Sequence, residues 1–182
     1  MEPKKAPEGP TAPRRYIYGG YQGKSDPTER ERVLHLLDAY RCSEGFAAEY
    51  LLAWMKASRH EGLRGGLSTI QGREASHARV LKERLIALGG VAEATVAPER
   101  RERDLPFFAS TERSDLDKLK VIAALFSEPE EFLSPIAGMI DQIQEDQQSK
   151  ELLRTILDDE RASIRWLVEM YERLRAAEGA AV

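Results

Sequence analysis

Four stretches of this chain step between apolar residues by alternating threes and fours, and a glutamate interrupts each one. The first seam reads Val33, Leu37, Tyr40, Glu44, Ala47, Leu51, Trp54, and the second Leu67, Ile70, Glu74, His77, Leu81, Leu88. The third reads Leu119, Ala123, Phe126, Glu130, Leu133, Ala137, Ile140, and the fourth Leu153, Ile156, Glu160, Ser163, Leu167, Met170, Leu174. Such spacing belongs to helices packed seam against seam. In a bundle built from these seams the four glutamates point at one another. Burying unpaired carboxylates is costly, so something must neutralise them. Raised pKa values would do so, as would an arginine, with Arg73, Arg79, Arg161 and Arg165 near in sequence. One or two divalent cations would do it best, because oxygen-rich clusters suit iron and manganese.

The two halves of the chain also match each other. A shift of 86 residues lays Val33, Leu36, Ala39, Tyr40 and Phe46 on Leu119, Ile122, Leu125, Phe126 and Phe132. The same shift lays Leu67, Ile70 and Leu81 on Leu153, Ile156 and Leu167, Glu44 on Glu130, and Glu74 on Glu160. Each half thus carries two glutamates 30 residues apart. The pattern reads as a duplicated helical hairpin.

Start and stop signals bound the segments. Ser25-Asp26-Pro27 followed by Glu29 and Glu31 opens a helix over about 28–60. A second helix over about 65–88 stops at Gly89-Gly90. Residues 89–113 have no clean period and contain Pro98 and Pro106, so they read as a long crossover with at most a short helical turn. Ser114 with Asp115 and Asp117 opens a third helix, kinked or split at Pro129 and Pro135. A fourth covers about 148–177. No strand alternation flanked by hairpin turns occurs, so the fold class is all-α.

Residues 1–26 have a different character, and with Pro27 they hold five of the nine prolines. Residues 1–24 carry a charge of +3 and end in a tyrosine-containing run, Tyr16, Tyr18 and Tyr21. They read as a flexible tail, or as an arm that docks a partner through its tyrosines. The domain proper spans 27–178.

Composition removes several functions. The net charge of -4 argues against general nucleic-acid binding, which needs a basic footprint. No apolar run long enough to span a membrane occurs, and no secretory h-region opens the chain. The one cysteine, Cys42, fits a reducing cytoplasm.

The motifs Glu44, Glu74-Ala-Ser-His77, Glu130 and Asp159-Glu160-Arg-Ala-Ser163 resemble the ferritin-like superfamily of dimetal-carboxylate four-helix bundles. The likeness covers about 28–177. It implies an up-down-down-up four-helix bundle with the long crossover between helices 2 and 3. It implies iron or manganese, one or two ions, on Glu44, Glu74, His77, Glu130 and Glu160. It also implies a homodimer.

Ser163 departs from the pattern, standing where the second histidine belongs. Asp159 is an alternative ligand on the same helix. Two functional expectations follow. One is a metal-binding, oxidoreductase-like bundle that lacks one histidine. The other is a metal-free bundle that kept the fold and works as a binding or scaffold module.

Overall fold

The computed structural model describes residues 27–180, and the segment read as a tail lies outside them. Six helices follow in order: α1 (Glu29–Ala57), α2 (Glu61–Ala87), α3 (Pro98–Ala109), α4 (Asp115–Leu125), α5 (Pro129–Asp141) and α6 (Gln147–Gly179). The described residues are all helix and connection, as the seams require.

Local chemistry fixes the ends. Thr28 caps α1 in a capping box with Glu31: its hydroxyl accepts from the Glu31 amide, and the Glu31 carboxylate accepts from the Thr28 amide at 2.9 Å. His60 caps α2, its Nδ1 accepting from the Leu63 amide at 3.0 Å. The first helix therefore stops at Ala57, earlier than the apolar pattern indicates, and His60 starts the second helix rather than ending the first. At the far end of α2, Gly89 takes a φ of 74°, and the amides of Gly89 and Gly90 return to the carbonyls of Ile86 and Leu85. Only glycine takes that conformation without strain, so the chain turns at the predicted stop.

One departure and one expected break matter for the site. The crossover contains a 12-residue helix, α3, where at most a turn was expected. Its sequence is too charged for an apolar stripe. Tertiary contacts hold it: Phe107 and Phe108 are buried against Trp54 and Tyr50 of α1, and Asp104 is buried between Arg100 and Arg103. The expected third helix is split into α4 and α5. Phe126 closes α4, Glu128 is extended, and Pro129 is the first residue of α5. Pro135 stays within α5.

The apolar core forms two clusters. One takes Val33, Leu37 and Tyr40 from α1, Leu81 and Leu85 from α2, Leu133 and Ile136 from α5, and Leu153 and Ile156 from α6. The other takes Leu51 and Trp54 from α1, Leu63 and Leu67 from α2, Phe107 and Phe108 from α3, Leu119 from α4, and Leu167 from α6. Along α1 and α6 the chain passes from the first cluster to the second. Along α2, and along α4 followed by α5, it passes from the second to the first.

Close packing makes one glycine essential. A Cβ on Gly66 would stand 1.9 Å from Cζ2 of Trp166, whereas one on Gly65 would meet nothing within 4 Å. Gly66→Ala is expected to lower stability by about 1–3 kcal/mol, because the indole must move. Gly65→Ala is expected to raise it by up to ~1 kcal/mol, the cost of glycine inside a helix. Urea midpoints of the two variants check this contrast.

Candidate metal centre

Between the two apolar clusters, α1, α2 and α6 each turn a polar residue inward. Glu44 follows Tyr40 and precedes Leu51 on α1, and Glu74 and His77 lie between Ile70 and Leu81 on α2. Glu160 and Ser163 lie between Leu157 and Leu167 on α6. One ligand atom from each of Glu44, Glu74, His77 and Glu160 lies within 4.8 Å of the others. Glu44 and Glu74 are each 3% exposed and His77 is 6% exposed, so water cannot satisfy them.

The contacts are short and directional. His77 Nδ1 is 3.1 Å from Glu44 Oε2 and 3.9 Å from Glu160 Oε1. Its Nε2 is 3.1 Å from Asp159 Oδ2. The imidazole is thus gripped from both sides by carboxylates of different helices. The Glu74 carboxyl stands in the same cluster as those of Glu44 and Glu160. Two carboxyl groups pair at hydrogen-bond distance only if one holds a proton.

Burial raises all three carboxyls well above the usual range. For Glu44 the next cause is the charge of Glu160, for Glu74 that of Glu44, and for Glu160 that of Glu74. Arg73 stands 3.7 Å from Asp159 and lowers Glu160 slightly against this trend. The Tyr50 phenol is raised too, by burial and then by the charge of Glu74.

Most of the arginines named as neutralisers are engaged elsewhere. Arg79 pairs with Glu83 in solvent, and Arg161 pairs with Glu130 and Asp158. Arg165 is exposed. Two buried oxygens in this layer, Glu160 Oε1 and Ser163 Oγ, have no hydrogen-bond partner.

Of the five ligands read from the sequence, the structure brings together Glu44, Glu74, His77 and Glu160, and leaves Glu130 out. The Glu130 carboxylate is 72% exposed and accepts from Arg161 Nε at 3.0 Å. The reason is the break between α4 and α5. A seam counted from Leu119 keeps its phase only along a continuous helix, and residues 126–128 reset it. Asp159, read as a substitute ligand, instead orients the far nitrogen of His77. Asp–His contacts of that kind fix the tautomer of a ligating imidazole.

The donor set fits a metal ion. Opposed ligands around one ion with bonds near 2.1 Å stand about 4.2 Å apart. The observed spread therefore closes around a single ion with small side-chain movements. An ion would also engage the orphaned Glu160 Oε1. No known protein family matches the chain, and no curated protein or solved structure matches it either.

The raised carboxyls have a consequence for the metal-free protein. Each binds its proton more tightly folded than unfolded, so above about pH 4.3 the folded state holds more protons than the unfolded chain. Stability then falls as pH rises, until the folded-state values are passed. Chelator-treated wild type is expected to show a lower urea midpoint at pH 8 than at pH 5. Glu74→Gln, which keeps the shape of the side chain and removes its charge, should flatten that slope. Equal slopes in the two proteins would contradict the assignment.

Proposed function

We propose that this protein binds a divalent transition metal, iron or manganese, through Glu44, Glu74, His77 and Glu160. We further propose that it is a ferritin-like carboxylate bundle in which one metal position has been lost. One observation carries the reading: the buried carboxyls of Glu44 and Glu74, the half-buried carboxyl of Glu160 and one imidazole converge within 4.8 Å. Helix directions support the bundle. The pair α1 and α6 runs one way between the two apolar clusters, and α2 with α4–α5 runs the other. That is the order of an up-down-down-up bundle whose crossover joins helices of like direction.

When bound, iron or manganese would supply redox or Lewis-acid chemistry, so the activity implied is of the oxidoreductase type. The protein's own residues have separate tasks. Glu74 joins Glu44 to Glu160 and sets the spacing of the three carboxyls. Asp159 holds the His77 ring so that Nδ1 faces Glu44 and Glu160. Asp159 is also 41% exposed, so the cluster comes nearest to solvent beside it and Arg73. The apolar clusters on either side keep water out of the rest.

Anaerobic loading of chelator-treated protein with ferrous iron or manganese, followed by elemental analysis, tests this. About one ion per chain is expected, with none in Glu74→Ala and no change in Glu130→Ala. Ser163→His should tighten binding roughly tenfold or more, since it restores a donor beside Glu160. Two ions per chain, with one lost in Glu130→Ala, would show instead that α5 turns inward and the dimetal site is intact. No metal under any loading would favour the metal-free scaffold reading, with the carboxyls neutralised by shared protons.

A further inference from the structure

The outer side of the α1–α2 pair carries a second feature, separate from the carboxylate cluster. A groove of about 430 Å³ lies there, closed at one end by the crossover and α3. Small-ligand sites typically enclose about 300–1,000 Å³. Its floor is apolar: Cys42, Gly45 and Phe46 from α1, Ala78 from α2 and Val96 from the crossover. Small residues keep it open, and a Cβ on Gly45 would already stand 3.8 Å from that of Ala78.

The walls are cationic. Arg41, Arg79, Lys82 and Arg101 line them together with Glu49, and Asp38 and Glu83 pair with Arg41 and Arg79 from outside the lining. This concentration of positive charge sits on a chain of net charge -4. Two of the cations are held in place by the fold. Arg41 is fixed by Asp38 and by the carbonyl of Ala94, and Arg101 pairs with Glu49 beneath the crossover. The other two come from α2 and are less committed. Arg79 has only an exposed pair with Glu83, and Lys82 has no ion pair among the described residues.

An apolar floor beside Lys82, which has no ion pair among the described residues, and Arg79, whose one pair lies in solvent, selects a ligand with an apolar body and an anionic head. A second copy docked symmetrically on this face would set Arg79 and Lys82 against their own counterparts, which like charges oppose. A polyanion would find only one short concave patch of positive charge on an acidic chain. We propose that this groove binds a small amphipathic carboxylate of the fatty-acid type. Lys82 and Arg79 hold the carboxylate, and the acyl chain lies on Ala78, Gly45, Cys42 and Val96. The inference does not depend on the metal reading, which concerns the inner faces of the same helices.

Cys42 makes the groove directly testable. It is the only cysteine in the sequence and lies half-buried in the floor. Modification of Cys42 by a thiol reagent therefore reports on groove occupancy alone. Decanoate is expected to slow that modification saturably, by about tenfold or more when bound. Decanol and acetate at the same concentrations should leave the rate unchanged. Lys82→Glu combined with Arg79→Glu, both at exposed positions, should weaken decanoate protection at least tenfold with unchanged helicity. Glu74→Gln should bind decanoate like wild type, which separates this site from the metal centre.

Several results would overturn the proposal. They are no protection by decanoate, equal protection by decanol or by inorganic phosphate, or protection that survives the double charge reversal. Protection that rises with protein concentration alone would assign the face to a second copy and would overturn it too.

Discussion

The structure is organised around a layer of acid that the apolar core cannot dissolve. Three glutamates and a histidine occupy one level, with leucine, isoleucine and aromatic residues above and below. Bulk water reaches the layer only from the side of Asp159, and the nearest arginine, Arg73, reaches Asp159 rather than the glutamates. The layer persists only if protons or a cation occupy it. Shared protons satisfy the contacts within the cluster and leave Glu160 Oε1 and Ser163 Oγ without partners. A cation would engage the first of these orphans and would offset the cost of keeping carboxylates where leucine would pack.

A layer of this kind demands axial register. Each residue of a helix advances about 1.5 Å, so a slip of three residues would carry a carboxylate out of reach. Polar ties near the helix ends supply the register. The Glu29 carboxylate accepts from the amides of Gln144, Glu145 and Asp146, locking the start of α1 to the start of α6. Arg84 reaches Asp146 and Ser149, locking the end of α2 to the same turn. At the opposite end, Asp115 accepts from Trp54 Nε1 at 2.8 Å and from the Ser58 hydroxyl at 2.7 Å. Lys118 and Lys150, both buried, donate to carbonyls at or just past the ends of α3 and α5 and hold the connections down. These ties surround the carboxylate layer at both ends and stand apart from it.

What could be read from the chain alone follows from what periodicity can carry. Seam positions were legible wherever a helix runs unbroken: Glu44, Glu74, His77, Glu160 and Ser163 all face inward as their spacing indicates. Glu130 was not, because the count from Leu119 crosses the interruption at 126–128 and loses phase there. Proline signalled that break, but not how far the following helix turns. The helix α3 was illegible for another reason. Its stability comes from Phe107, Phe108 and Asp104 meeting partners on α1 and within its own turn, and local sequence does not encode distant partners. His60 sat at a boundary where a helix end and a helix start look alike, and only its bond to the Leu63 amide separates them.

Laid on each other by the 86-residue shift, the two halves agree at apolar positions and differ at polar ones. Buried apolar positions still correspond, as in Val33 with Leu119, Leu67 with Leu153, and Leu81 with Leu167. The polar positions do not. The first hairpin, α1 with α2, keeps a carboxylate, a second carboxylate and a histidine facing inward, and the second keeps Glu160 alone. Its other two positions hold an outward glutamate paired with Arg161 and a buried serine. Three of the four donors now sit on one rigid pair of helices, and α6 contributes the last along with the aspartate that aims His77. A second ion would need donors from α5, whose glutamate faces solvent, so the four donors that converge would serve one cation at most.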